Sequence, residues 1–133
     1  MMLKVQTFRK EEFVPITDLI VREVQESKVK EGLVNVFVPH ATAGLVVNEN
    51  DDPNVCFDVL RKLAELIPEH DDYLHDRIDD NAAAHIKASL FRPDLTLQVS
   101  EGRLLLGRWQ AVMLAEFDGP KERSVSVKII KEK

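Results

Sequence analysis

The C-terminal third alternates so regularly that it leaves little choice of fold. Val125, Val127 and Ile129 fall on one face of an extended chain and Ser124, Ser126 and Lys128 on the other. That period of two belongs to a strand with one face toward a core. Leu95, Leu97 and Val99 alternate with Thr96 and Gln98 in the same way, and Leu104 to Leu106 and Ala111 to Phe117 are further strand candidates. Glu101-Gly102-Arg103 and Asp118-Gly119-Pro120 supply the turns between them. Short strands separated by turn residues predict antiparallel hairpins.

The N-terminal part mixes the two periodicities. Val5 to Phe8 reads as an opening strand. After Pro15, the residues Ile16, Leu19, Ile20 and Val24 recur at helical spacing, in a helix that ends before Gly32. Leu33 to Val38 is a buried strand by its β-branched and aromatic content, and Leu45 to Val47 is a second. Asp52 followed by Pro53 is a helix start, with Val55, Val59, Leu63 and Leu66 as the buried stripe and Pro68 as the stop. Glu69 to Asp80 is an acidic loop holding His70 and His75. Asn81 to Leu90, NAAAHIKASL, is a short helix with Asn81, His85 and Ser89 on one stripe. Two to three helices and at least six strands make an α+β protein, an antiparallel or mixed β-sandwich or barrel-like sheet in a single domain over residues 1–133.

Composition narrows the function. A formal net charge of −5, with no basic patch interleaved with aromatics, argues against nucleic acid as a partner. No apolar run approaches the roughly 18 to 20 residues of a membrane span, and the first residues lack a signal core, so a cytoplasmic location is expected. Cys56 lies among Val55, Phe57, Val59 and Leu60 and reads as a small apolar filler.

Chemistry is expected from the histidines and two carboxylates. His40, His75 and His85 are separated in sequence but flanked by apolar anchors. Three imidazoles around one open position form a recurrent catalytic zinc arrangement, although HExxH and CxxC spacings are absent. Glu49 and Glu116 are candidates for acid or base work, Glu116 through a carboxyl pKa raised by desolvation. A surface carboxylate on an outer sheet face is the competing reading. In Gly107-Arg108-Trp109-Gln110, Arg108 could meet an anion, Trp109 could stack or anchor a core or interface, and Gln110 could fix a polar edge. Nucleophile-elbow, Walker and Rossmann patterns are all missing.

Four segments in order, HATAGLVVNEND, NAAAHIKASL, GRLLLGRWQ and EFDGP, resemble the YjbQ-like family, often labelled secondary thiamine-phosphate synthase. The resemblance spans about Pro15 to Ile130 and implies a homotrimer with a pocket between subunits. The matching positions are His40, Thr42, Ala43, Gly44, Asn48, Glu49, His75, Asn81, His85, Ser89, Gly107, Trp109, Gln110, Glu116, Asp118 and Gly119. Ala41 and Arg108 depart from the usual pattern, which bears on pocket polarity.

The resulting expectation is an enzyme acting on a small phosphorylated or anionic metabolite, with thiamine-phosphate-synthase-like transferase activity. His40, His75 and His85 would hold zinc or another divalent metal. Glu49, Glu116 and His85 would be catalytic, and Thr42, Gly44, Asn48, Asn81, Ser89 and Gln110 would contact substrate. Two rivals share the pocket: histidines that bind phosphate directly without metal, and a non-catalytic trimer that binds a metabolite or metal.

Overall fold

A computed structural model describes all residues from Met1 to Lys133. It is an α+β fold of two curled antiparallel sheets and three α-helices. The first sheet has five strands in the order β1 (Met2–Gln6), β8 (Glu122–Lys131), β3 (Gly32–Phe37), β5 (Asp94–Ser100) and β6 (Arg103–Leu104). The second has three, β2 (Glu12–Pro15), β7 (Gln110–Glu116) and β4 (Ala43–Glu49). Every pairing is antiparallel, so the parallel component of a mixed sheet is not used.

The alternating C-terminal segment is the long strand β8, paired with β1 on one side and β3 on the other. Val125 and Val127 point into a core shared by both sheets, with Val34, Val36, Leu45, Val112 and Leu114. Helix α1 (Thr17–Ser27) adds Ile20 and Val24 to the same core.

The opposite face of the three-stranded sheet is also covered. Helix α2 (Pro53–Leu66) and helix α3 (Ala82–Ser89) enclose a second core of Leu63, Ile67, Ala83, Ala84, Ala115 and Phe117. This explains why residues 112–117 are buried without alternation: β7 packs on both faces. Asp52 caps α2, its Oδ1 accepting from the Asn54 N–H at 2.9 Å, and Pro53 occupies the first turn. No helix is long and apolar enough to cross a membrane.

Two strand expectations shift. The opening strand runs Met2–Gln6 rather than Val5–Phe8, and β2 was not separately legible. Met1 donates its amino group to the Val127 carbonyl at 3.0 Å, one residue ahead of β1. Residues Leu104 to Leu106 yield only a two-residue strand.

Candidate functional site

Two of the four family-like segments and the acidic loop meet at one end of the three-stranded sheet. The connection between β3 and β4 carries His40, α3 carries His85 and Ser89, and a 3-10 turn over Leu74–Arg77 carries His75. His40, Ala41, Ala43, His85, Ala88 and Ser89, with Phe91 and Pro93, line an open cavity of about 460 Å³. The small residues Ala41, Ala43 and Ala88 leave the space between the two histidines free.

The two histidines are held differently. Nε2 of His40 accepts a hydrogen bond from the Ser124 backbone N–H at 2.9 Å. A nitrogen that accepts is unprotonated, so in the neutral ring the proton sits on Nδ1. Burial, and then the Arg123 charge, hold His40 below its ordinary value and favour that neutral form. His85 has no side-chain hydrogen bond within the protein that would fix its tautomer. Its ring meets His75 edge to face, with centroids 4.8 Å apart. Nε2 of His75 is buried without a hydrogen-bond partner and lies 3.5 Å from Asp79 Oδ2.

This geometry does not fit the expected zinc set. Both His40 nitrogens are committed, one as acceptor from Ser124 and the other as N–H, which leaves no lone pair for a metal. Nor do ligand atoms of His40, His75 and His85 converge: the histidine and carboxylate group whose ligand atoms all lie within 4.8 Å of one another is His70, Asp76 and Asp80. That group sits in the acidic loop.

Glu116 also departs from expectation. It is 0% exposed, and its carboxylate is paired with Arg123, itself 4% exposed. Arg123 Nε donates to Oε1 at 2.8 Å and its Nη2 to Oε2. Thr7 Oγ1 donates to Oε1 at 2.8 Å and the Asp118 N–H to Oε2 at 3.1 Å. Burial pushes this carboxyl up, but Arg123, Asp118 and Thr7 more than offset it and hold it below its ordinary value. The raised pKa expected of an acid or base is therefore reversed. Glu116 joins the two sheets instead, since β7 and β8 belong to different ones.

Other candidates divide into two places. Thr42 is buried, with its hydroxyl accepting from Arg123 Nη2 at 2.9 Å. Gly44 is buried where an added Cβ would come within 2.9 Å of Phe91 Cβ, so it serves close packing rather than ligand contact. Asn81 donates from Nδ2 to Asp118 Oδ2 at 2.9 Å, while its Oδ1 is buried and unpartnered. Burial raises the Asp118 carboxyl, and the Asn81 and Lys121 side chains bring it below its ordinary value. Ser89 Oγ donates to the His85 carbonyl at 2.9 Å and keeps its lone pairs at the cavity.

Asn48, Glu49 and Gln110 lie at the far end of β4 and β7. Asn48 Oδ1 accepts from the Glu49 N–H at 2.7 Å, and Gln110 Oε1 accepts from the Gly107 N–H at 2.7 Å. Exposed Trp109 stacks under the Arg108 guanidinium, 4.8 Å from its ring centroid. Cys56 is half-buried against Met113, Sγ to Sδ 3.8 Å, as the filler reading expects.

Sequence reasoning missed Arg123 and Thr7. The available signal was parity, since Arg123 shares its face of β8 with Val125 and Val127, where a charge requires a buried partner.

Two antiparallel sheets with a histidine-lined cavity at the α3 end define a compact α+β class, and sequence comparison narrows it. The chain belongs to the UPF0047 protein YjbQ-like family, whose sequence pattern matches residues 1–132. It is 44% identical over 130 residues to a UPF0047 protein of Methanocaldococcus jannaschii, covering 98% of this chain and 93% of that one. The UPF0047 protein YugU of Bacillus subtilis is 37% identical, with 96% of each chain covered. A solved structure of an uncharacterized YjbQ/UPF0047 protein from Clostridium acetobutylicum superposes with a TM-score of 0.94 at 42% identity, covering 98% of this chain and 99% of that one. A YbjQ-like protein of unknown function from Sulfolobus solfataricus gives the same TM-score at 38% identity, with coverage of 99% and 96%.

Proposed function

We propose that this protein is an enzyme acting on a small phosphorylated metabolite, and that the cavity between His40 and His85 receives the phosphate without a metal. The observation that carries the reading is the Ser124 N–H bonded to His40 Nε2, which leaves Nδ1–H as the donor of a ring that lines the cavity. Phosphate oxygens are acceptors, and a neutral imidazole meets them without the desolvation cost of a buried cation. His85, whose tautomer is free, is suited to pass a proton to a leaving oxygen. Ser89 supplies a further polar contact beside it.

Thiamine-phosphate-synthase-like transfer, in which a diphosphate leaves, is the reaction the family resemblance suggests for such a site. A cytoplasmic homotrimer belongs to the same reading. Its motivation is the family resemblance, and it would give a role to Asn48, Glu49 and Gln110, at the end of β4 and β7 roughly 20 Å from Ala43, taking about 3.3 Å per residue of the seven-residue strand β4. A head-to-tail ring brings one end of a subunit to the other end of its neighbour. In that assembly the far-end residues would complete a neighbouring histidine cavity.

Phosphate and pyrophosphate titrations followed through imidazole ¹H–¹⁵N signals test the proposal. Both His40 and His85 should respond, and His85→Ala should weaken binding. Silence of both rings at millimolar anion would overturn it. Sedimentation reads the trimer separately.

A further inference from the structure

We propose that Arg123 is the positioning residue of the histidine cavity: with Ser124, its neighbour on β8, it grips the His40–Thr42 segment at both ends. This rests on the reading of His40 as the residue that meets the ligand.

Between β3 and β4 the backbone pairing stops after Val38, whose N–H meets the Pro93 carbonyl, and resumes at Thr42, so the shape of Pro39 to Ala41 depends on what holds it. Two consecutive residues of one strand provide the hold. The Ser124 N–H takes His40 Nε2 at 2.9 Å. Arg123 Nη2 reaches Thr42, to Oγ1 at 2.9 Å and to its carbonyl at 3.4 Å. The Phe117 N–H also donates to that carbonyl at 3.1 Å.

Arg123 can do this only because it is itself immobilised. Its Nε and Nη2 occupy both oxygens of Glu116, and Thr7 and the Asp118 N–H hold that carboxylate from other sides. The planar guanidinium then has one direction left for Nη2, toward Thr42. A lysine ammonium on a flexible stem lacks this fork geometry. Anchoring through β7 and β8 makes the cavity wall part of the contact between the two sheets.

Burial first, and this arrangement second, favour the neutral ring. The charged groups acting on His40 are Arg123 from β8, Glu116 from β7 and Lys4 from β1, with His85 across the cavity from α3. Arg123 opposes protonation directly and also keeps Glu116 neutralised as a pair. Loosening the grip at Thr42 should therefore change both the position and the tautomer of His40.

The test compares Thr42→Val, which removes the hydroxyl acceptor but spares the Arg123–Glu116 pair, with Thr42→Ser, which keeps it. Arg123→Lys is the third variant. In the ligand-free wild type, His40 ¹⁵N shifts should report the neutral Nδ1–H tautomer and a titration below that of a free histidine. Thr42→Val and Arg123→Lys should mix the tautomers and move the titration toward the ordinary value. They should also weaken inorganic phosphate binding roughly tenfold, as loss of a charge-assisted contact predicts. Thr42→Ser should restore all three readouts, which a merely bulky or destabilising change would not. Folded Thr42→Val or Arg123→Lys with wild-type His40 shifts overturns the proposal. If the wild type binds no phosphate, the functional reading fails, while the ligand-free His40 shifts still decide the grip.

Discussion

Glu116→Gln separates the role the structure gives this residue from the acid or base role its motif suggests. The change is nearly isosteric, so it creates little cavity. It leaves the Arg123 guanidinium, 4% exposed, without a counter-charge. The bidentate pair is also broken, because the amide nitrogen of glutamine would face an arginine donor where an oxygen stood. Breaking a buried pair from one side costs about 3–5 kcal/mol, against a total stability of about 5–15 kcal/mol for a domain. At about 3–5 °C per kcal/mol for a chain of this size, the melting temperature should fall by roughly 10–25 °C.

The companion is Glu116→Gln with Arg123→Met. Removing the orphaned cation should return much of the lost stability, because replacing both partners of a buried pair is often near neutral. Urea unfolding of the wild type, both singles and the double gives the coupling. We expect at least about 2 kcal/mol of non-additivity. A single variant within about 1 kcal/mol of wild type, or a double equal to the sum of the singles, refutes the strut reading. Acid or base work by Glu116 would instead remove turnover while leaving the unfolding midpoint in place.

Four further outcomes are expected. Gly119→Ala would place a Cβ 2.2 Å from the Arg9 carbonyl and 2.9 Å from both Glu116 Cγ and Thr7 Oγ1; overpacking against backbone should cost about 3 kcal/mol in urea unfolding. His40 is held below its ordinary value, so between that value and its lower folded-state value the unfolded chain binds more protons. The His40 contribution to stability should thus fall as pH drops below about 6.5, and His40→Gln should flatten that part of the profile measured by thermal unfolding. Glu116 is also depressed, so its share persists above about 4.5 and is lost only on further acidification. Trp109→Ala should leave chain stability within about 0.5 kcal/mol, because the residue is exposed, while shifting the sedimentation profile if the far end joins a neighbour.

The fold was legible where one periodicity dominated. β8 alternates because its outer face is polar, and α2 announces itself through Asp52, Pro53 and an apolar stripe. β2 was hidden because Glu12 to Pro15 is too short to establish a period, and the two-sided burial of β7 erased its alternation. The candidate site was legible as residue types. Motif order nominated His40, His75, His85 and Ser89, and the structure puts His40, His85 and Ser89 around one cavity with His75 against His85. Their chemical states were not readable, since they depend on contacts across many residues. The bond fixing the His40 tautomer comes from Ser124, 84 positions away, and the Arg123 partner of Thr42 is 81 away.

That separation also explains why a motif can name a histidine without naming its chemistry. A zinc site and a phosphate site use the same side chain in opposite senses, as lone-pair donor to the metal or as N–H donor to an oxygen. Residue type cannot choose between them; the group facing the other ring nitrogen does. Here that group is a backbone N–H on β8, an amide that no substitution at Ser124 other than proline removes. On the proposed reading the choice resides in the contact of the β3–β4 connection with β8. Arg123, one residue earlier on that strand, joins the same connection to the buried contact between the sheets.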